Sequence, residues 1–265
     1  MKKISIIMMA LALVMGMSQC KKNEEPTSNN NENRTLNVLI GNGNNSKLYF
    51  GDADYMGNIP VMWNSQDIVY VAAGGHVIGY LYCAGSAGDY GNFSGNDNTI
   101  VVNDIPMNQY LQFFCLGAQI QNNIQSGNPD QLVFSYADQS EDPAVVFWGT
   151  SEEKYAGVDG VYHCYDFHNC NALVKFALNT PSDESLTIQG VKNQMLIKFD
   201  GTFEDDDTEG NIITWGMGNV RYATVPVNQT ATDGKVFVGA TEVGTYRIPA
   251  HAESNKCIKG RITLD

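Results

Sequence analysis

From Thr35 onward the chain alternates apolar and polar residues in short runs, each broken by glycine, asparagine or aspartate. This period of two constrains the fold more than any other feature. Successive side chains of a strand point to opposite faces, whereas a helix needs apolar residues three and four apart, so such runs suit half-buried strands. Leu36, Val38 and Ile40 alternate with Thr35, Asn37 and Leu39 before Gly41-Asn42-Gly43-Asn44-Asn45 ends the run. Residues 66–73 and 76–83, joined by Gly74-Gly75, predict a hairpin, because two glycines permit the positive φ of a tight turn. Residues 110–118, 131–136 and 145–149 predict further strands, and turn residues at 150–160 mark the expected boundary. Residues 171–179 then place Ala172, Val174, Phe176 and Leu178 on one face, and shorter runs follow as far as residue 264. Many short strands with no helical pattern between them predict an all-β chain of two antiparallel β-sandwiches, residues 35–160 and 161–265. The wealth of Gly, Asn, Thr, Tyr and Phe agrees.

The N-terminus is of another kind. Lys2 and Lys3 precede an uncharged run, residues 4–17, and Cys20 follows just beyond it. A basic start and an apolar core of this length predict a signal peptide over residues 1–19, and the run is too short to span a bilayer. The cysteine at its end predicts a bacterial lipoprotein with Cys20 as the lipid-modified first residue. Residues 21–34 contain no aliphatic side chain, so they cannot bury enough surface to fold and predict a flexible tether. The basic-then-acidic run after Cys20 resembles the signal that sends some lipoproteins to the outer face of the outer membrane. Lys2 and Lys3 are the only charges before Cys20, so 14 of the 16 basic residues lie beyond it, against all 29 acidic ones. An acidic chain is a poor partner for nucleic acid, which demands a basic surface.

Four constellations are candidates for chemistry. His163, Cys164, His168 and Cys170 would supply a tetrahedral zinc set, but their spacing matches none of the usual zinc knuckles. On a continuous strand His163 would oppose His168, with Cys164 and Cys170 on the His168 side. A Cys164–Cys170 disulfide, or no bond at all, is the competing reading. Five cysteines lie beyond Cys20, an odd number that cannot all pair within one chain. The acidic run Glu204 to Glu209 resembles the start of a calcium loop, but Gly216 stands where the bidentate glutamate is needed, so a solvated hairpin tip is expected. Ala84-Gly85-Ser86-Ala87-Gly88 approaches a nucleophile elbow, yet no helix can follow it, so a plain loop is expected. Trp63, Trp148 and Trp215 could stack on sugars, although strand aromatics more often fill cores. No enzyme activity, cofactor or metal is expected.

Several segments, taken in order, resemble the fimbrillin family, the lipoprotein pilins of type V pili. Trp63-Asn64-Ser65-Gln66-Asp67-Ile68-Val69-Tyr70-Val71 resembles the family's Trp-x-x-Gly-Asp strand opening, with Gln66 in place of glycine. Phe93-Ser94-Gly95 resembles the Phe-Ser/Thr-Gly strand after it, and His168-Asn169-Cys170-Asn171-Ala172-Leu173-Val174-Lys175-Phe176 the strand that opens the second half. Residues 186–191 and Gly244-Thr245-Tyr246-Arg247-Ile248 keep the family's order. The resemblance implies transthyretin-like sandwiches, no enzymatic activity and a pilus or adhesin role at the cell surface. Its partners would be other pilin subunits, the outer membrane through the lipid, and a host or bacterial surface ligand.

In that family an Arg-specific protease removes the N-terminal strand, and the vacated groove accepts a strand from another subunit. Arg34 lies before the first apolar strand, whereas Lys47 follows it and is the better placed of the two cleavage candidates. The candidate donor strand is C-terminal, with Ile258, Gly260, Ile262 and Leu264 on one face. A glycan-binding surface lipoprotein that works as a monomer is the alternative reading.

Overall fold

The computed structural model describes residues 35–41, 49–50, 61–63, 67–87, 90–96, 99–100, 104–116, 130–141, 143–157, 160–205, 208–226, 231–248 and 257–262. Cys20, Arg34, Lys47 and Leu264 lie outside them. Among the described residues the strands of the first part are β1 Leu36–Gly41, β2 Tyr49–Phe50, β3 Val61–Met62, β4 Ile68–Ala73, β5 His76–Ala87, β6 Tyr90–Gly95 and β7 Tyr110–Cys115. Then come β8 Gln131–Ser135, β9 Phe147–Lys154, β10 Val161–Cys164, β11 Phe167–Asn169, β12 Asn171–Ser182, β13 Leu186–Lys192 and β14 Gln194–Lys198. The last are β15 Phe203–Asp205, β16 Glu209–Ile213, β17 Gly218–Pro226, β18 Thr232–Val238, β19 Thr241–Ile248 and β20 Cys257–Ile262.

Eight strands form one sheet in the order β10-β1-β6-β5-β4-β7-β9-β11. The remaining long strands make sheets β17-β12-β20, β16-β13-β18-β19 and β15-β14-β8. All neighbours in these sheets are antiparallel except β1 with β10 and β12 with β20, which run parallel. The predicted antiparallel sandwich therefore carries two parallel pairs, each joining strands far apart in sequence, as a parallel pair requires. The Gly74-Gly75 hairpin is present, with φ of 62° and 85° at the two glycines.

Two hydrophobic cores organise the sheets. The first gathers Leu36, Val38, Ile40, Val69, Val71, Leu81, Phe93, Leu111, Phe113 and Phe147 on the inner face of the eight-stranded sheet. The second gathers Val174, Phe176, Leu186, Ile188, Met195, Ile197 and Ile212 from the later strands. Ala72 and Phe114 of the eight-stranded sheet also belong to the second core, so β4 and β7 bury side chains on both faces. That explains why Val69 to Ala73 and Leu111 to Leu116 break the apolar–polar alternation: a strand covered on both sides needs no polar face.

Chain order and sheet membership cross. β8, from the first half of the sequence, pairs with β14, while β10 and β11 join the eight-stranded sheet. The turn residues at 150–160 do not end the strand at Gly149, because β9 continues to Lys154 through pairing with β7. Residues 84–87, expected as a loop, are the end of β5, where Gly85, Ser86 and Ala87 pair with Asn92, Gly91 and Tyr90.

Candidate strand-exchange site

β1 is an interior strand. Its whole length pairs antiparallel with β6, from Leu36 opposite Gly95 to Gly41 opposite Tyr90. On its other side Asn37 to Ile40 pair in parallel with Val161 to Cys164. The predicted apolar face is the buried one: Leu36, Val38 and Ile40 are each no more than 2% exposed. Val38 stands opposite Phe93 on one neighbour and Tyr162 on the other, so its side chain closes a wall of two aromatic rings. Trp63 packs edge-on against Phe93, with ring centroids 4.7 Å apart, and lies 5.6 Å from Phe167.

β20 is an edge strand. Among the described residues it pairs only with β12, from Leu173 opposite Cys257 to Leu178 opposite Ile262. Ile262 is buried and Ile258 packs on the second core, whereas Cys257, Lys259 and Arg261 are exposed. Between the two isoleucines Gly260 lies against the Phe176 and Tyr246 rings, which meet edge to face at 4.7 Å. A Cβ at Gly260 would come within 2.8 Å of the Tyr246 ring and 3.0 Å of the Phe176 ring, so glycine is needed there. Burial, with Cys257 beside it, pushes the Tyr246 phenol up to about 12. The two candidate strands thus occupy different cores, one in mid-sheet and one at an edge.

The histidine–cysteine cluster is dispersed. The chain leaves strand conformation at Tyr165 and Asp166, which resets the alternation. Cys164 enters the first core and Cys170 the second, while His168 is exposed, so the three do not share a side as a continuous strand would require. Both thiols are free, and burial pushes each up to about 12. His163 Nδ1 lies 2.8 Å from the Glu153 carboxylate, which also accepts the His163 backbone N–H at 3.1 Å. Burial raises the Glu153 carboxyl, but the bonds from His163 outweigh it and hold the group below its ordinary range. His168 pairs with Asp166 at 3.1 Å and stacks on Trp148. Among the described residues no three His, Cys, Asp or Glu side chains converge on a metal position. In the acidic run Glu204 pairs with Lys198, and Asp206 and Asp207 lie outside the described residues.

Two buried polar groups escaped the sequence reading. Gln139 donates to the Tyr136 and Thr224 carbonyls at 3.0 and 2.9 Å and accepts from the Thr224 N–H and hydroxyl at 2.9 and 2.8 Å. Arg221 donates to the carbonyls of Ser182, Glu184, Gly218 and Val220. Arg221 interrupts the apolar run of β17, the one hint of its burial, whereas Gln139 sits in the polar turn run after β8, where nothing in the sequence marks it as buried.

No family model matches the sequence, and no curated protein does. Solved structures do. A provisionally named cell adhesion protein from Bacteroides uniformis ATCC 8492 aligns with a TM-score of 0.55 over 91% of this chain and 94% of its own, at 10% identity. Another, from Bacteroides ovatus ATCC 8483, aligns with a TM-score of 0.52 over 88% and 93%, at 9% identity. The fold is shared. The resemblance to fimbrillins seen in the sequence stands together with this all-β architecture.

Proposed function

We propose that the chain is a structural subunit or adhesin of a cell-surface pilus, held at the outer membrane through lipid on Cys20 and assembled by proteolysis-triggered strand exchange. The observation that carries the reading is β1, an interior strand with three fully buried apolar side chains near the N-terminal end of the chain. Burying such side chains stabilises by about 1.5–3 kcal/mol each. Three together approach the whole stability of an ordinary domain, roughly 5–15 kcal/mol. A subunit that loses β1 must therefore refill the slot or come apart, and an extended strand from a second copy would restore both backbone ladders at once. β20, which among the described residues bonds to β12 alone, is the strand that would serve.

Cutting after Lys47 severs β1 from the rest of the chain, whereas cutting after Arg34 only frees the protein from its lipid. Limited trypsin digestion of the purified chain, followed by electrophoresis without boiling, should give a ladder of polymers. Lys47→Ala should abolish the ladder while Arg34→Ala leaves it. Deleting residues 256–265 should give a folded monomer that is cut normally and does not polymerise. Complete cleavage at Lys47 with only monomer present would rule out exchange, and polymers from the truncated chain would rule out β20 as donor.

A further inference from the structure

The second core covers the β4–β7 side of the eight-stranded sheet and reaches Val77 of β5, whereas the outward side chains farther along β5 and on β6, β1 and β10 are half-buried or exposed. At one end of this face Tyr82, 45% exposed, meets Tyr80 edge to face at 5.4 Å, and the two hydroxyls interact. At the other end Tyr90, 40% exposed, meets Tyr165, 47% exposed, at 6.2 Å, and His163 lies 5.3 Å from Tyr165. Between the two aromatic pairs the outward positions are Ser94 and Asn92 of β6, Asn37 and Leu39 of β1 and Val161 of β10, with Ser94 directly opposite both Tyr82 and Asn37 and Leu39 opposite Asn92. Ser94 and Tyr90 are four residues apart on one strand, which separates the pairs by about 13 Å.

We propose that this face binds a neutral glycan, an extended chain of pyranose rings that stacks on the tyrosines at each end and takes hydrogen bonds from Asn37, Asn92 and Ser94 between them. No lysine, arginine or carboxylate stands at the outward positions of β1 and β6 or at Tyr80 and Tyr82. Glu153 is engaged by His163 at the rim. Among the described residues the basic side chain at this face is His163, already paired with Glu153, so a polyanion gains little here. Strand addition uses a sheet edge, which the interior strands β1, β5 and β6 do not offer. Hydroxyl-rich rings with apolar faces match alternating aromatic and amide groups. The site goes beyond the assembly reading and does not require it, since uncut protein already presents the whole face.

The test is native electrophoresis of the full chain through gels holding yeast mannan, oat β-glucan, galactomannan or, as the acidic control, polygalacturonate. At least one neutral polysaccharide should retard the protein, and polygalacturonate should not. Tyr82→Ala and Tyr90→Ala should each weaken the retardation about tenfold, the loss of one stacking contact, with an unchanged melting temperature. Lys47→Ala, which blocks assembly, should bind as the unaltered chain does. Retardation by none of the neutral polymers, or by polygalacturonate alone, overturns the proposal. So does retardation that survives both tyrosine substitutions, or a self-association in sedimentation that Tyr82→Ala abolishes while no polysaccharide binds.

Discussion

Cys164 and Cys170 illustrate how a single side chain's chemistry follows from which core receives it. Burial holds both thiols protonated up to about pH 12, against an ordinary value near 9. Between those values the folded state keeps protons that the unfolded chain releases, so stability is full below pH 9 and falls as pH rises toward 12. The slope is about 1.4 kcal/mol per pH unit for each thiol. Urea denaturation at pH 8 and pH 10.5 should show a large alkaline loss, and Cys164→Ala or Cys170→Ala should each flatten that loss while lowering stability at pH 8. An unchanged slope in both variants would contradict the assignment. The continuous strand that argued against a zinc set would have kept Cys164, His168 and Cys170 on one side, and two residues out of strand conformation were enough to send the cysteines apart. Nothing in the residue types announces such a break.

At the scale of the element, burial could be read from sequence for strands with one wet face. β12, β13 and β14 bury alternate residues as their patterns predicted. β4 and β7 were found as strands, but their double burial was not foreseen, since that depends on a second layer contributed from residues far along the chain. β10 and β11 were hidden inside a candidate metal motif because strands of four and three residues carry too little pattern. β20 was legible as a strand, with Ile258, Gly260 and Ile262 on one face, although it spans Cys257–Ile262 and not the full 256–264. Gly260→Val should overpack the Phe176–Tyr246 contact and cost about 1–3 kcal/mol. Calorimetry would register this as a lower melting temperature, and an unchanged one would mean that β20 is not held at this seat.

Across the whole molecule, the crossing of β8 into one layer and of β10 and β11 into another ties the two cores together by backbone pairing. The segment between β8 and β9 adds buried side-chain bonds: Asn171 accepts from the Tyr136 hydroxyl at 2.9 Å and donates to the Val146 carbonyl at 3.0 Å. None of this was visible in a division of the sequence at residue 160, because a linear boundary cannot represent strands exchanged between layers. The position of β1 bears on what the molecule does under load. Pulled lengthwise from its N-terminal end, β1 cannot be peeled away one bond at a time. Its ladders to β6 and β10 lie across the direction of pull, so their hydrogen bonds share the force as a lap joint does. β20, clamped on one side only, would give way first. Force spectroscopy with attachment at residue 35 and at the C-terminus should record an early small rupture followed by a much larger one. A load that enters at residue 35 therefore meets the doubly flanked strand first, and the bonds on its two sides carry it together.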